Sequence, residues 1–375
     1  MTESDASKRT FWNTRLLSMR AYVPGEQPRV GPDTIKLNTN ENPYPPSPEA
    51  LRAMREAVGP ALRLYPPAEW HSLRAAIARE YAIPLANVFC GNGSDEVLSL
   101  IFRAFMNDGD VLLLPYPTYS LYPVLAAANG CRVLDVDTRE DFSIDLEALL
   151  AAPQARMVII ANPNAPTGIL LDKKKIADFA SRFSGLVVVD EAYIDFSKEG
   201  ASCLSELDAH DNLIILRTFS KSFSLCGLRV GYAFAPQVLT EGLLAMKDSY
   251  NLDLIAQCGA AAAIRDIAWM RANAGRVIET RSSFERELDA RGFVSLPSES
   301  NFVFTRHPGM SAYALQEHLR KDEIYVRHFS ARRVSEYVRI SIGTDDEMAR
   351  VLASVDRALA GQPPGSAGSP AKGGR

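Results

Sequence analysis

Four short runs of consecutive aliphatic residues punctuate the chain, at residues 111–114, 157–160, 186–189 and 213–216. Each is continuous rather than alternating, the pattern of a strand covered on both faces. The runs stop at Pro115, Asn162-Pro163, Asp190 and Arg217. Segments of helical period lie between them, among them 95–105 and 172–183. Strands alternating with helices predict an α/β domain built on a mainly parallel sheet. Polar and glycine residues gather just after the runs, and ligands of open α/β sheets bind outside those strand ends.

Outside this region the pattern differs. Residues 1–35 lack a clear period and read as an arm or short helix. The Pro-rich stretch 38–46 excludes a regular helix, because each proline removes a donor and restricts its neighbour. Ser47-Pro48-Glu49 reads as an N-cap with proline at the first helical position, opening a helix through Leu51, Met54 and Val58. A second break at Tyr65-Pro66-Pro67 precedes a helix over about 69–81. After residue 260 an Ala/Arg-rich helical stretch, 258–291, leads into short strands at 302–304 and 338–342, the texture of a smaller α+β domain. The expected division is an arm with part of the small domain (1–60), a large domain (61–260), the rest of the small domain (261–360) and a disordered Gly/Pro/Ser-rich tail (361–375).

Composition narrows the function classes. The chain has 375 residues, long enough for two domains, and 41 Lys+Arg against 45 Asp+Glu give a net charge of -4. That balance argues against nucleic acid as a partner. No apolar stretch is long enough for a membrane span, and no secretory signal opens the chain, so a cytoplasmic location is expected. The five cysteines are scattered without a CxxC, and the five histidines show no ligand spacing, so neither disulfides nor a metal is expected. Gly91-Asn92-Gly93 lacks the third glycine and the acidic residue of a dinucleotide fingerprint.

The candidate chemistry centres on Lys221. It follows a buried strand, at the ligand edge of the sheet, where an amine of depressed pKa can form a Schiff base. Thr218, Ser220 and Arg229 around it make an anion site of the kind a phosphate uses. Asp190 ends another buried run, where a carboxylate is costly unless it meets a cation.

These residues, with others along the chain, resemble the fold-type I, pyridoxal-phosphate-dependent aminotransferases, and within them the histidinol-phosphate branch. The resemblance covers about residues 22–344. Its anchors are residues 37–44 (Leu-Asn-Thr-Asn-Glu-Asn-Pro-Tyr), 64–66 (Leu-Tyr-Pro), 91–96 (Gly-Asn-Gly-Ser-Asp-Glu), 116–119 (Tyr-Pro-Thr-Tyr), 162–168 (Asn-Pro-Asn-Ala-Pro-Thr-Gly), 188–193 (Val-Val-Asp-Glu-Ala-Tyr), 218–223 (Thr-Phe-Ser-Lys-Ser-Phe), 227–231 (Gly-Leu-Arg-Val-Gly) and 338–343 (Val-Arg-Ile-Ser-Ile-Gly). Each is short; their order and spacing are specific.

The resemblance implies roles, residue by residue. Lys221 is the cofactor-linked lysine and the proton carrier; Asp190 partners the pyridine nitrogen; Tyr193 bonds the ring's phenolic oxygen; Tyr119 stacks on the ring. Gly93, Ser94 and Asp95 join Thr218, Ser220 and Arg229 in a phosphate cup at a helix start, Asp95 through its backbone N–H. Relatives carry an asparagine directly before Pro-Thr-Gly; here that position is Ala165, leaving Asn162 or Asn164 to substitute, with Asn162 preferred. Arg339 and Arg327 match the arginines that take the substrate's anionic groups, with Arg332 and Arg333 close enough to compete for the second role. Tyr22 lies on the arm, and Tyr65 reaches the other subunit's site, touching cofactor and substrate there. The implied activity, in a homodimer, is transamination of L-histidinol phosphate with 2-oxoglutarate. An aromatic amino acid aminotransferase or a threonine-phosphate decarboxylase of the same fold is the nearer alternative, and a non-catalytic cofactor-bound regulator the more distant one.

Overall fold

The computed structural model describes residues 11–29 and 31–361. The first ten residues of the expected arm, and the tail from residue 362 on, lie outside the described residues. After β1 (Ile35–Lys36) come two helices, Pro48–Ala57 and His71–Glu80. Ser47 caps the first, its hydroxyl accepting from the backbone N–H of Glu49 and Ala50, with Pro48 at the opening position.

A seven-stranded sheet follows, made from β2 (Val88–Gly91), β3 (Val111–Tyr116), β4 (Arg132–Asp137), β5 (Met157–Ala161), β6 (Leu186–Asp190), β7 (Leu213–Thr218) and β8 (Gly231–Phe234). Its order is β2-β8-β7-β6-β5-β3-β4. The four predicted runs are β3, β5, β6 and β7, and they are parallel neighbours at its centre. β8 runs antiparallel to both its neighbours. Valine, isoleucine and leucine side chains of the central strands are buried on both faces, which is why those strands read as unbroken apolar runs.

A second, antiparallel sheet has the order β12-β13-β10-β9, from β9 (Val294–Ser295), β10 (Phe302–Arg306), β12 (Arg327–His328) and β13 (Val338–Ser341). β1 pairs in parallel with β11 (Ile324–Tyr325), bringing residues 35–36 beside residues 324–325. The stretch 258–291 is not one helix. It is Leu254–Arg265 followed by Ile267–Asp289, broken at Asp266, whose carboxylate accepts a hydrogen bond from Ser47. Among the described residues no helix is long and apolar enough to cross a membrane.

Candidate active site

A cavity of about 420 Å³ opens at the carboxyl end of the large sheet. Ala161, Asp190 and Thr218, the last residues of β5, β6 and β7, form part of its wall. The opposite wall comes from residues 38–41 and from Arg327, Phe329 and Arg339 around the second sheet.

Asp190 is 6% exposed, and no cation lies within ion-pair distance among the described residues. One carboxylate oxygen accepts from the Tyr122 hydroxyl at 2.8 Å, the other from the Ala192 N–H at 3.1 Å. Burial pushes its pKa up to about 6 despite those two bonds. The geometry therefore holds an acceptor that lacks a positively charged donor.

Lys221 follows β7, and its Nζ donates to the Thr39 carbonyl at 3.1 Å. Its backbone is held by Asn42, whose amide donates to the carbonyls of Lys221 and Ser222 at 3.1 and 3.2 Å. Beneath both functional groups runs a buried ionic network. Arg217 bonds Glu191 at 2.9 Å and Asp195 at 3.0 Å, and Ser222 donates to Asp195 at 2.5 Å. Glu191 adjoins Asp190 and Ser222 adjoins Lys221, so the network ties the strand ends carrying the carboxylate and the amine to each other.

Arg229 lies beyond Lys221 in a left-handed conformation (φ 55°). Its guanidinium donates to Ser220 Oγ and the Cys226 carbonyl, both at 3.2 Å. Ser94, Thr218 and Ser220 line the cavity beside it. The helix Gly93–Phe105 starts here, so its first backbone N–H groups are available to an anion. Two glycines permit the close packing. A Cβ on Gly93 would lie 2.6 Å from Arg229 Nη2, and one on Gly231 would lie 2.3 Å from the Ser94 nitrogen. The Asp95 carboxylate faces Arg229, 3.5 Å from Nη2.

At the other end Arg327 and Arg339 line the cavity, and among the described residues neither forms an ion pair. Arg339 donates to the Asn38 carbonyl at 3.0 Å, while its Nε is buried without a partner. Its guanidinium lies 5.3 Å from the Phe302 ring and 5.4 Å from the Phe329 ring. Burial, reinforced by the charge of Arg327, lowers its pKa. Arg332 and Arg333 are engaged elsewhere: Arg332 pairs with Asp137, and Arg333 donates to the carbonyls of Thr138 and Arg139.

Tyr22, Tyr119 and Tyr193 also face the cavity. The Tyr22 and Tyr119 rings meet edge to face at 6.0 Å. Tyr65 stands apart, 80% exposed and stacked on Tyr250 at 4.4 Å, so within one chain it does not reach the cavity.

Asn162, the expected substitute, does not line the cavity. Its Nδ2 donates to the Leu171 carbonyl at 3.0 Å and its Oδ1 accepts the Leu171 N–H at 2.7 Å, so the amide is consumed in pinning a loop. Asn164 is likewise committed, to Pro117 and Thr167, and the cavity wall at this point is Ala161, Ala165 and Pro166. Two side chains at the site had no expected role. Tyr122 bonds Asp190, and Asn40 bonds the Tyr193 hydroxyl at 2.9 Å. Asn40 belongs to the stretch 37–44 noted above, whose three asparagines were the available signal.

Comparison with known proteins agrees with this geometry. Residues 32–355 match the family described as aminotransferase class I and II. Histidinol-phosphate aminotransferase 2 of Rhizobium meliloti (strain 1021) is 45% identical over 353 residues, covering 93% of this chain and 99% of that one. Histidinol-phosphate aminotransferase of Syntrophus aciditrophicus (strain SB) is 43% identical over 363 residues, covering 94% and 99%. Among solved structures, histidinol-phosphate aminotransferase from Sinorhizobium meliloti in complex with pyridoxal-5'-phosphate superposes with a TM-score of 0.85 at 27% identity, covering 94% of this chain and 98% of that one. With a match running from β1 into the final helix, the chain belongs to the aminotransferase class I and II family.

Proposed function

We propose that this protein is a pyridoxal-5'-phosphate-dependent transaminase that exchanges the amino group between L-histidinol phosphate and 2-oxoglutarate, giving imidazole-acetol phosphate and L-glutamate in histidine biosynthesis. One observation carries the substrate assignment: two guanidinium groups without carboxylate partners among the described residues share the cavity with the Lys221 amine. A phosphate monoester bears nearly two negative charges and suits two forked cations.

The residues present fit the cofactor. Asp190 offers a buried acceptor lacking a cation, and Arg229, Thr218, Ser220 and the helix start at Gly93–Ser94–Asp95 offer an anion cradle. When bound, pyridoxal phosphate supplies the electron sink for the pair left at the substrate's reacting carbon. Asp190 would keep the ring nitrogen protonated, Tyr193 would donate toward the phenolic oxygen, and Tyr119 would cover the ring. The Lys221 amine would take the proton from the substrate's reacting carbon and deliver it to the cofactor's C4′ carbon, as general base and then general acid. Arg327 and Arg339 hold the phosphate of the amino donor and, in the second half of the cycle, the carboxylates of the oxo acid. Tyr22 closes the substrate end.

The same reading includes a cytoplasmic homodimer in which Tyr65 completes the partner's site, and a division into a large domain (61–260) and a small one from both chain ends. Exposed Val58, Leu62, Leu64, Tyr65 and Tyr250 support the dimer. Five free cysteines among the described residues support a reducing compartment.

The test is a panel of amino donors with 2-oxoglutarate as acceptor: histidinol phosphate, phenylalanine, tyrosine and threonine phosphate, with glutamate and CO₂ both measured. The expected result is the highest kcat/KM for histidinol phosphate and no CO₂. A preference for phenylalanine or tyrosine, or CO₂ release from threonine phosphate, overturns the substrate assignment.

A further inference from the structure

We propose that Asn40 is a positioning residue: its side-chain amide holds the Tyr193 hydroxyl as a donor toward the cofactor's phenolic oxygen, supporting the one bond that remains where Ala165 offers none. The inference rests on the pyridoxal-phosphate reading above.

The hydrogen bonds around Asn40 have a fixed direction. The Asn40 backbone N–H donates to Ser341 Oγ at 3.0 Å. Ser341 then has its single proton to give, and it gives it to Asn40 Oδ1 at 2.9 Å. With its oxygen committed there, the amide must present its NH₂ to Tyr193, whose hydroxyl oxygen lies 2.9 Å from Nδ2. An NH₂ only donates, so the tyrosine oxygen is the acceptor of that bond. Its own proton is left over, and the Tyr193 side chain faces the cavity with no second hydroxyl partner among the described residues. The Asn301 amide, 3.0 Å from the Asn40 carbonyl, anchors the backbone.

Asn40, Ser341 and Asn301 are all buried, at 1%, 1% and 0% exposure, so water does not compete for these bonds. The residue type also follows from the backbone. Asn40 has φ 58°, a left-handed conformation that asparagine tolerates better than most side chains. An aspartate of the same shape would accept the tyrosine's proton instead of leaving it for the cavity.

A hydrogen bond donated to a phenolic oxygen strengthens as that oxygen gains negative charge. With pyridoxal phosphate bound to Lys221, this oxygen would share a proton with the linked nitrogen, so the donated bond would favour the state that has lost the proton. Disordering the donor must raise the pKa at which the cofactor's visible absorbance changes.

The experiment is a spectrophotometric pH titration of the holoenzyme. Asn40→Gly removes the amide while keeping the left-handed backbone and its N–H. It should raise the pKa of the band by about half a unit to one unit, the worth of one hydrogen bond. Tyr193→Phe should raise it at least as far, and Asn40→Gly added to Tyr193→Phe should change nothing more. Ser341→Ala, which releases the amide without touching Asn40, should shift the band in the same direction by less. An unchanged pKa in Asn40→Gly overturns the proposal, as does a shift that adds in full to that of Tyr193→Phe. A wild-type protein that takes up pyridoxal phosphate without any pH-dependent band would instead overturn the cofactor reading.

Discussion

Arg327 and Arg339 are directly opposed in register on the antiparallel strands β12 and β13. Like charges facing each other across a ladder destabilise it by roughly 0.2–1 kcal/mol. The two guanidinium groups make no compensating ion pair among the described residues. Arg327→Gln should therefore raise the melting temperature of the ligand-free protein by about 1–3 °C while lowering kcat/KM for histidinol phosphate by about 100-fold. The loss for phenylalanine, which carries no phosphate, should be under about tenfold. Calorimetry with parallel kinetics on the two donors checks both signs; equal losses would separate Arg327 from the phosphate.

Asp190 gives the cofactor-free protein a distinct pH dependence. Its pKa is about 6 in the fold, raised by burial, against about 3.9 for an unfolded chain. Below pH 4 the carboxyl is protonated in both states and carries no penalty. As pH rises from 4 to 6 the unfolded chain releases this proton while the folded state keeps it, so a destabilisation of about 3 kcal/mol builds up and levels off above pH 6. Denaturant titrations of the apo-protein at pH 4, 5, 6 and 7.5 should show it, and Asp190→Asn should flatten the slope across that window. The same variant should bind pyridoxal phosphate more weakly, since the neutral amide no longer favours a protonated ring nitrogen.

Gly231 sits on β8 against the first turn of the helix Gly93–Phe105, with no room for a methyl group. Gly231→Ala should push the Ser94 nitrogen out of line, costing about 1–3 kcal/mol of stability and more than about tenfold in cofactor affinity. Fluorescence titration with pyridoxal phosphate reads the second effect. Wild-type affinity in a folded Gly231→Ala protein would mean that the anion binds elsewhere.

Tyr65 does not reach its own chain's cavity, and the homodimer proposed above makes a hybrid test possible. Lys221→Ala and Tyr65→Ala should each be severely impaired alone. Refolded together, half the dimers are hybrids with one intact site, restoring about a quarter of wild-type activity. No recovery on mixing would argue that each chain works alone.

Much of this architecture was legible in the sequence because the central strands are buried on both faces, and continuous aliphatic runs have few other uses. What escaped lies where tertiary surroundings decide. β4, Arg132–Asp137, is an edge strand with exposed positions, so it shows no apolar run. The break at Asp266 depends on a bond to Ser47, more than 200 residues away. Asn162 looked like a strand-end ligand, but its partner was set by how the following loop folds back at Leu171. Asn40 and Tyr193 are 153 residues apart, and no local pattern announces a contact at that separation. Side-chain types and strand ends could be read from the chain; the pairing of amides required the fold.

The buried network of Arg217, Glu191, Asp195 and Ser222 has a consequence for how such an enzyme can diversify. It locks the carboxylate and the amine into one rigid bench belonging to the large sheet. The two arginines proposed to bind substrate, Arg327 and Arg339, belong to a different sheet and, among the described residues, share no ion pair with that bench. Substitutions on β12 and β13 can therefore exchange one amino donor for another without retooling the proton-transfer apparatus. On the proposed roles, reaction type and substrate range are thus separate inheritances within a single cavity.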